Sequence, residues 1–144
     1  MMDDYASLSH TKWECKHHVV FTPKYRRKAF YGQIRKDLGR VFAALARQKE
    51  CRIEAGSVQP DNVHMLINIP PKHSVAQVVG YIKGKSAIYI ARTYGKKSRN
   101  FIGEHFWARG YLVSTVGKDE EKIREYIVRQ EQEDQRLDQL NLMD

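Results

Sequence analysis

A chain of 144 residues, 42% hydrophobic and 29% charged, has the composition of one globular domain with a buried core. No run approaches the roughly 20 apolar residues that cross a bilayer, and Met1-Met2-Asp3-Asp4-Tyr5 is too acidic for a signal peptide. Neither a membrane-spanning helix nor a secretory route is expected, and a cytoplasmic location is the default expectation.

In chain order, Trp13, Cys15, His17, Val19 and Phe21 alternate with Lys12, Glu14, Lys16 and His18, the period of a half-buried strand. Thr22-Pro23 ends it, because Pro lacks the N–H that a ladder needs. Lys24-Tyr25-Arg26-Arg27-Lys28 is a basic loop carrying an aromatic. Ile34, Leu38, Val41, Phe42 and Leu45 recur at helical spacing and predict an amphipathic helix over roughly 33–49. Strands follow at 52–58 and 62–69, with Gln59-Pro60-Asp61 as the turn between them and Pro70-Pro71 as the stop. Ser74 is the expected N-cap of a long helix lined by Val75, Val78, Val79, Ile82, Ile90 and Tyr94, and Gly95 can terminate it. A second basic loop, Lys96-Lys97-Ser98-Arg99-Asn100, precedes a strand over Tyr111-Leu112-Val113-Ser114-Thr115-Val116. Gly117-Lys118-Asp119 introduces a last helix, where Asp119, Glu120 and Glu121 suit the positive end of the dipole. Past about residue 132 the polar tail is expected to fray. The order β-α-β-β-α-β-α predicts an α+β fold, a ferredoxin-like or RRM-like sandwich with one antiparallel sheet and helices packed on it. The chain reads as a single domain over 1–144, its core at about 9–131 and its tail at 132–144.

The formal charge of +8 and pI near 9.5 favour a polyanionic partner. The body is more basic than the total, since residues 119–144 hold 4 Lys/Arg against 9 Asp/Glu and the remainder 21 against 8. Cys15 and Cys51 lack a CxxC partner, so free thiols are expected, and Cys15 with His17 or His18 fits no common zinc module.

Residues two apart on a strand face the same way, so Asn62 and His64 project together, opposite Val63, Met65, Ile67 and Ile69. Residues four apart on a helix share a face, so Tyr126 and Gln130 also project together. Should the two faces meet, they enclose one imidazole, two neutral amides and one phenol. Such a set can hold a divalent metal beside a tyrosine nucleophile. Taken singly, His64 suits a strand histidine with a local hydrogen bond, and Tyr126 suits a core residue beside Ile123 and Ile127.

The arrangement resembles the HUH single-tyrosine transposases of bacterial insertion sequences, including the REP-associated tyrosine transposases. Their signature is His-hydrophobic-His on a strand plus Tyr-x-x-x-Gln on a late helix. The resemblance extends to the opening segment from His10 through Trp13 and His18 to Arg27, to Gly80-Tyr81-Ile82-Lys83-Gly84-Lys85-Ser86, and to Phe106-Trp107-Ala108-Arg109-Gly110-Tyr111 and Ser114-Thr115-Val116-Gly117. It covers the chain from about Ser9 to Gln130 in the family's order. One position departs: the first His of the pair is Asn62.

The resemblance implies a transposase that cuts and rejoins single-stranded DNA at hairpin ends of an insertion sequence. Tyr126 would attack a backbone phosphorus, giving a 5′-phosphotyrosine and a free 3′-hydroxyl. His64, Gln130 and Asn62 would hold Mg²⁺ or Mn²⁺, which suit one imidazole with amide oxygens better than zinc does. The implied partners are single-stranded hairpin DNA and a second copy, a homodimer in which the tyrosine helix of one subunit completes the other's site. Lys24, Arg26, Arg27, Lys28, Lys83, Lys85, Lys96, Lys97 and Arg99 are the candidate phosphate contacts, and Tyr25, Phe101 and Trp107 the candidate stacking residues, with core packing the rival role for Trp107. The alternative is a relative impaired at Asn62 that binds hairpin DNA or RNA as a regulator. It lacks the aromatic-rich central strand of an RNA-recognition module. A partner-binding domain that meets no nucleic acid would leave both basic loops unexplained.

Overall fold

The computed structural model describes residues 6–8, 11–26, 30, 32–95 and 106–143, with the backbone alone for 6–8, 11, 12, 26 and 134–143. Strands β1 (Ala6–Leu8) and β2 (Thr11–Trp13) form a small antiparallel hairpin. Then come β3 (Lys16–Phe21), α1 (Gln33–Gln48), β4 (Arg52–Gln59), β5 (Asn62–Asn68), α2 (Val75–Tyr94), β6 (Leu112–Val116) and α3 (Glu120–Met143). The four longer strands make one antiparallel sheet in the order β4-β5-β3-β6. With α1 and α2 as crossovers, this is the ferredoxin-like βαββαβ order, followed by one further helix.

Alternation decides which layer each side chain joins. Val19, Phe21, Val63, Met65 and Ile67 point to one face and meet Ile34, Leu38 and Phe42 of α1 and Val78, Ile82 and Ile90 of α2. Trp107 belongs to this core rather than to a stacking surface. It is 7% exposed, meets Phe21 edge-on at 4.8 Å, and donates its indole N–H to Ser86 Oγ at 3.0 Å. The other face of the sheet carries a smaller cluster of Leu66, Val116 and Ile127, with Ala55 and Ile123 against it. That cluster seats α3, mainly over β4 and β5.

The helix signals hold in detail. Ser74 Oγ accepts from Gln77 N–H at 3.0 Å while Gln77 Oε1 accepts from Ser74 N–H, a reciprocal cap that fixes the start of α2. Three features differ from expectation. The strand predicted through Trp13 and Phe21 breaks at Glu14-Cys15, where Asn68 Oδ1 takes the Cys15 N–H at 2.9 Å in place of a ladder carbonyl. The β1 strand lies in a segment that carried no period-two signal. The last helix continues through the tail to Met143, since no Gly or Pro interrupts 118–143.

Candidate functional site

β4 and β5 are joined by a turn of two residues, Pro60-Asp61, so Gln59 and Asn62 are paired and Ser57 lies opposite His64. These four side chains share the α3 face of the sheet. On α3, Ile127 is fully buried and anchors the helix, which leaves Tyr126 at its margin, 46% exposed. The Tyr126 ring meets the His64 ring edge-on, with centroids 5.8 Å apart. One turn later Gln130 Oε1 accepts from Gln59 Nε2 at 3.1 Å, beside Asn62. The two predicted faces therefore meet, and within one chain: the tyrosine helix lies over its own sheet.

β3 adds what the sequence alone did not suggest. It pairs with β5 so that Val20 faces His64 and His18 faces Leu66, making His18 a diagonal neighbour of His64 on the same face. His18 Nε2 and His64 Nδ1 are 3.1 Å apart. Burial holds the His64 imidazolium off, and the neighbouring His18 adds to this, moving its pKa down to about 4. Burial lowers that of His18 as well. Both shifts favour the neutral ring.

The donor set suits a hard divalent cation. Asn62 Nδ2 donates to Asp61 Oδ1 at 2.8 Å, which fixes the amide orientation and leaves Oδ1 as the open atom. That oxygen is buried and has no hydrogen-bond partner among the described residues, a costly state that an electropositive partner would relieve. His64 would supply an imidazole, and Gln130 the second lone pair of an amide oxygen that already accepts from Gln59. Among the described residues no three His, Cys, Asp or Glu side chains converge as a metal cluster, so the set rests on amides and imidazole.

Two charge clusters hold α3 in place. Lys16 Nζ lies 2.9 Å from Glu54, 2.8 Å from Glu120 and 3.1 Å from Glu14, while Arg124 bridges Glu54 at 2.8 Å and Glu120 at 3.1 Å. Burial opposes the Lys16 charge, and the three carboxylates overcome it, so its pKa ends above the usual lysine range. Further along, Glu131 accepts the Val58 N–H at 3.1 Å and pairs with Arg35 at 3.2 Å, while Arg35 Nε donates to Val58 O at 2.6 Å. This clamp on the β4 edge adjoins Gln130 and fixes its height on the sheet.

An acid test follows from the first cluster. Burial raises the Glu54 pKa, but Lys16 and Arg124 more than offset it, and Lys16 lowers that of Glu120. Both folded values lie below the ordinary glutamate value of 4.5. Their contribution is thus present above that pH and is lost as pH falls through the lower folded values. Acid unfolding followed by circular dichroism should show this slope, and Glu54→Gln should flatten it. An unchanged slope would mean that the cluster does not secure α3.

The candidate phosphate contacts separate. Lys83 donates to Ala108 O at 2.8 Å and Gly110 O at 2.7 Å, and burial lowers its pKa, so it ties α2 to the segment before β6. Lys85 is exposed, and Lys24 is partly exposed beside Tyr25. Tyr25 is 85% exposed at a left-handed φ of 64°, which turns its ring outward on the basic loop. Arg26 lies where only the backbone is described. Arg27, Lys28, Lys96, Lys97, Arg99 and Phe101 lie outside the described residues. No helix among the described residues is long and apolar enough to cross a membrane.

Comparison with known proteins identifies the family and the fold. The family model "Transposase IS200 like" matches residues 11–130. The transposases for insertion sequence element IS200 of Salmonella typhimurium (strain LT2) and Salmonella typhi are each 45% identical over 141 residues, covering 98% of this chain and 93% of theirs. A crystal structure of a candidate transposase from Deinococcus radiodurans R1 superposes with a TM-score of 0.70 at 25% identity, over 87% of this chain and 97% of that one. A REP-associated tyrosine transposase bound to a REP hairpin shares the fold, with a TM-score of 0.60 at 14% identity over 84% of this chain and 70% of that one.

Proposed function

The chain belongs to the IS200-like transposase family, and from that premise we propose that it cuts and rejoins single-stranded hairpin DNA at the ends of an insertion sequence, with Tyr126 as nucleophile. The observation that carries the proposal is the meeting of Tyr126 and Gln130 with His64 and Asn62 on one face of the sheet. In cleavage the Tyr126 phenol oxygen forms a bond to phosphorus and the bond from phosphorus to the 3′-oxygen breaks. The phenol proton is released, and the leaving oxygen takes one up to become a 3′-hydroxyl. Rejoining reverses this at a second phosphotyrosine, so the phosphodiester energy is conserved and no nucleotide cofactor is required.

His64, Asn62 and Gln130 would hold Mg²⁺ or Mn²⁺. When bound, the cation supplies charge stabilisation at the scissile phosphate and at the leaving oxygen. The exposure of Tyr126 leaves its hydroxyl open to a strand crossing the β3–β6 half of the sheet, which α3 covers least. Lys24, Lys85 and the basic loops would contact phosphates, and Tyr25 would stack on an unpaired base. Homodimer formation is supported by β6, an edge strand on which Leu112 is 67% and Val113 39% exposed. The site of action would be the cytoplasm.

The test is a denaturing gel of the full chain incubated with labelled single-stranded hairpin DNA from the element's flanks and Mn²⁺ or Mg²⁺. A covalent protein–DNA adduct is expected, with binding that weakens steeply as salt rises. Salt-sensitive binding without an adduct would instead favour a regulator that holds hairpins uncut.

A further inference from the structure

We propose that His18 is a positioning residue for His64: it accepts the His64 Nδ1 proton and so holds His64 in the tautomer whose Nε2 lone pair can ligate a cation. The inference rests on the assignment of His64 as a ligand and adds a residue outside the Tyr-Gln and strand motifs.

The geometry is that of a hydrogen bond along the ring axes. The ring centroids are 5.3 Å apart with planes 27° from one another, and the facing nitrogens are 3.1 Å apart. The centroid separation is nearly the nitrogen separation plus both ring radii, so the rings lie end to end and a nitrogen of each points into the gap. Each neutral imidazole carries one N–H, and one proton fills the gap between them. When His18 donates it, His64 must carry its own proton on Nε2, on the far side of its ring, and cannot ligate there. When His64 donates it from Nδ1, its Nε2 holds a free pair. A ligating histidine nearly always donates its second N–H to a fixed acceptor, which sets the tautomer and raises the basicity of the ligating nitrogen. The acceptor at hydrogen-bond distance from His64 Nδ1 is His18 Nε2. Backbone pairing fixes it there, since His18 and His64 sit on adjacent hydrogen-bonded strands. Stronger donation from His64 matters more in a site where the first strand position, Asn62, offers an amide in place of an imidazole.

The experiment uses the full chain and two variants. His18→Phe keeps an aromatic ring and removes the acceptor, whereas His18→Gln places an amide oxygen near the former Nε2. Mn²⁺ affinity is read by electron paramagnetic resonance, and the His64 tautomer by ¹⁵N NMR of the metal-free protein. The native chain should hold His64 as the Nδ1–H form. His18→Phe should mix the tautomers and weaken Mn²⁺ binding by about 10- to 100-fold, and His18→Gln should recover most of the loss. An Nε2–H form in the native chain, or Mn²⁺ binding that survives His18→Phe, would overturn the role of His18 alone. A native chain that binds no Mn²⁺ would overturn the ligand assignment of His64, and this inference with it.

Discussion

Tyr126→Phe should abolish the covalent protein–DNA adduct while leaving hairpin binding and folding intact. The substitution removes one oxygen. Tyr126 is 46% exposed and takes no part in the apolar contacts that seat α3, which are made by Ile123 and Ile127 against Leu66 and Val116. The phenyl ring keeps its edge-on contact with His64, so the site around it should not collapse. A group that forms the reacting bond cannot be replaced by its neighbours, and the loss should reach a factor of at least about 10³ in adduct yield. Binding affinity and melting temperature, measured on the same preparation, should match the native chain. An adduct that persists would show that another group attacks. The exposed phenol of Tyr25 on the basic loop would then be the next candidate.

Asn62→His should strengthen Mn²⁺ binding by about 10- to 100-fold and raise adduct yield with it. The direction follows from the donor: an imidazole outranks a neutral amide oxygen toward Mn²⁺. The position is suited to the exchange, because Asn62 already turns a buried oxygen, without a partner among the described residues, away from Asp61 on the face that carries His64. Calorimetry of Mn²⁺ binding, run beside the gel assay, separates the outcomes. No adduct from the native chain but one from Asn62→His would identify a transposase disabled at position 62. Unchanged metal affinity would mean that position 62 is not a ligand.

The strand and helix pattern was legible because each element carries its own period. Val63, Met65 and Ile67 announce the buried face of β5, and Ser74 with Gln77 announces the start of α2. The convergence of Tyr126 with His64 was legible from spacing only once a family resemblance suggested that the two faces meet. His18, Ser57 and Gln59 were out of reach of that reasoning because their place depends on register between strands. Gln59 was closest to recovery: a two-residue Pro60-Asp61 turn makes 59 and 62 partners, and pairing the two strands as a hairpin reveals it. His18 depends on how β3, more than forty residues away, aligns with β5, and no local pattern encodes that. Lys83 illustrates the opposite limit. Its charge marked it for phosphate, yet the carbonyls of Ala108 and Gly110 take up its ammonium in the fold.

The two-residue turn between β4 and β5 also sets which heritable lesions this protein can survive. Side chains along a strand alternate between faces, so a change in turn length that slipped β5 by one residue against its neighbours would exchange its faces. His64 would then be driven toward the core now filled by Val63 and Met65, and an apolar side chain would take its place under Tyr126. Substitutions in the turn leave the count intact and should be milder. A gene of this kind can therefore be disarmed by a change of one codon in length, with every side chain of its site still encoded.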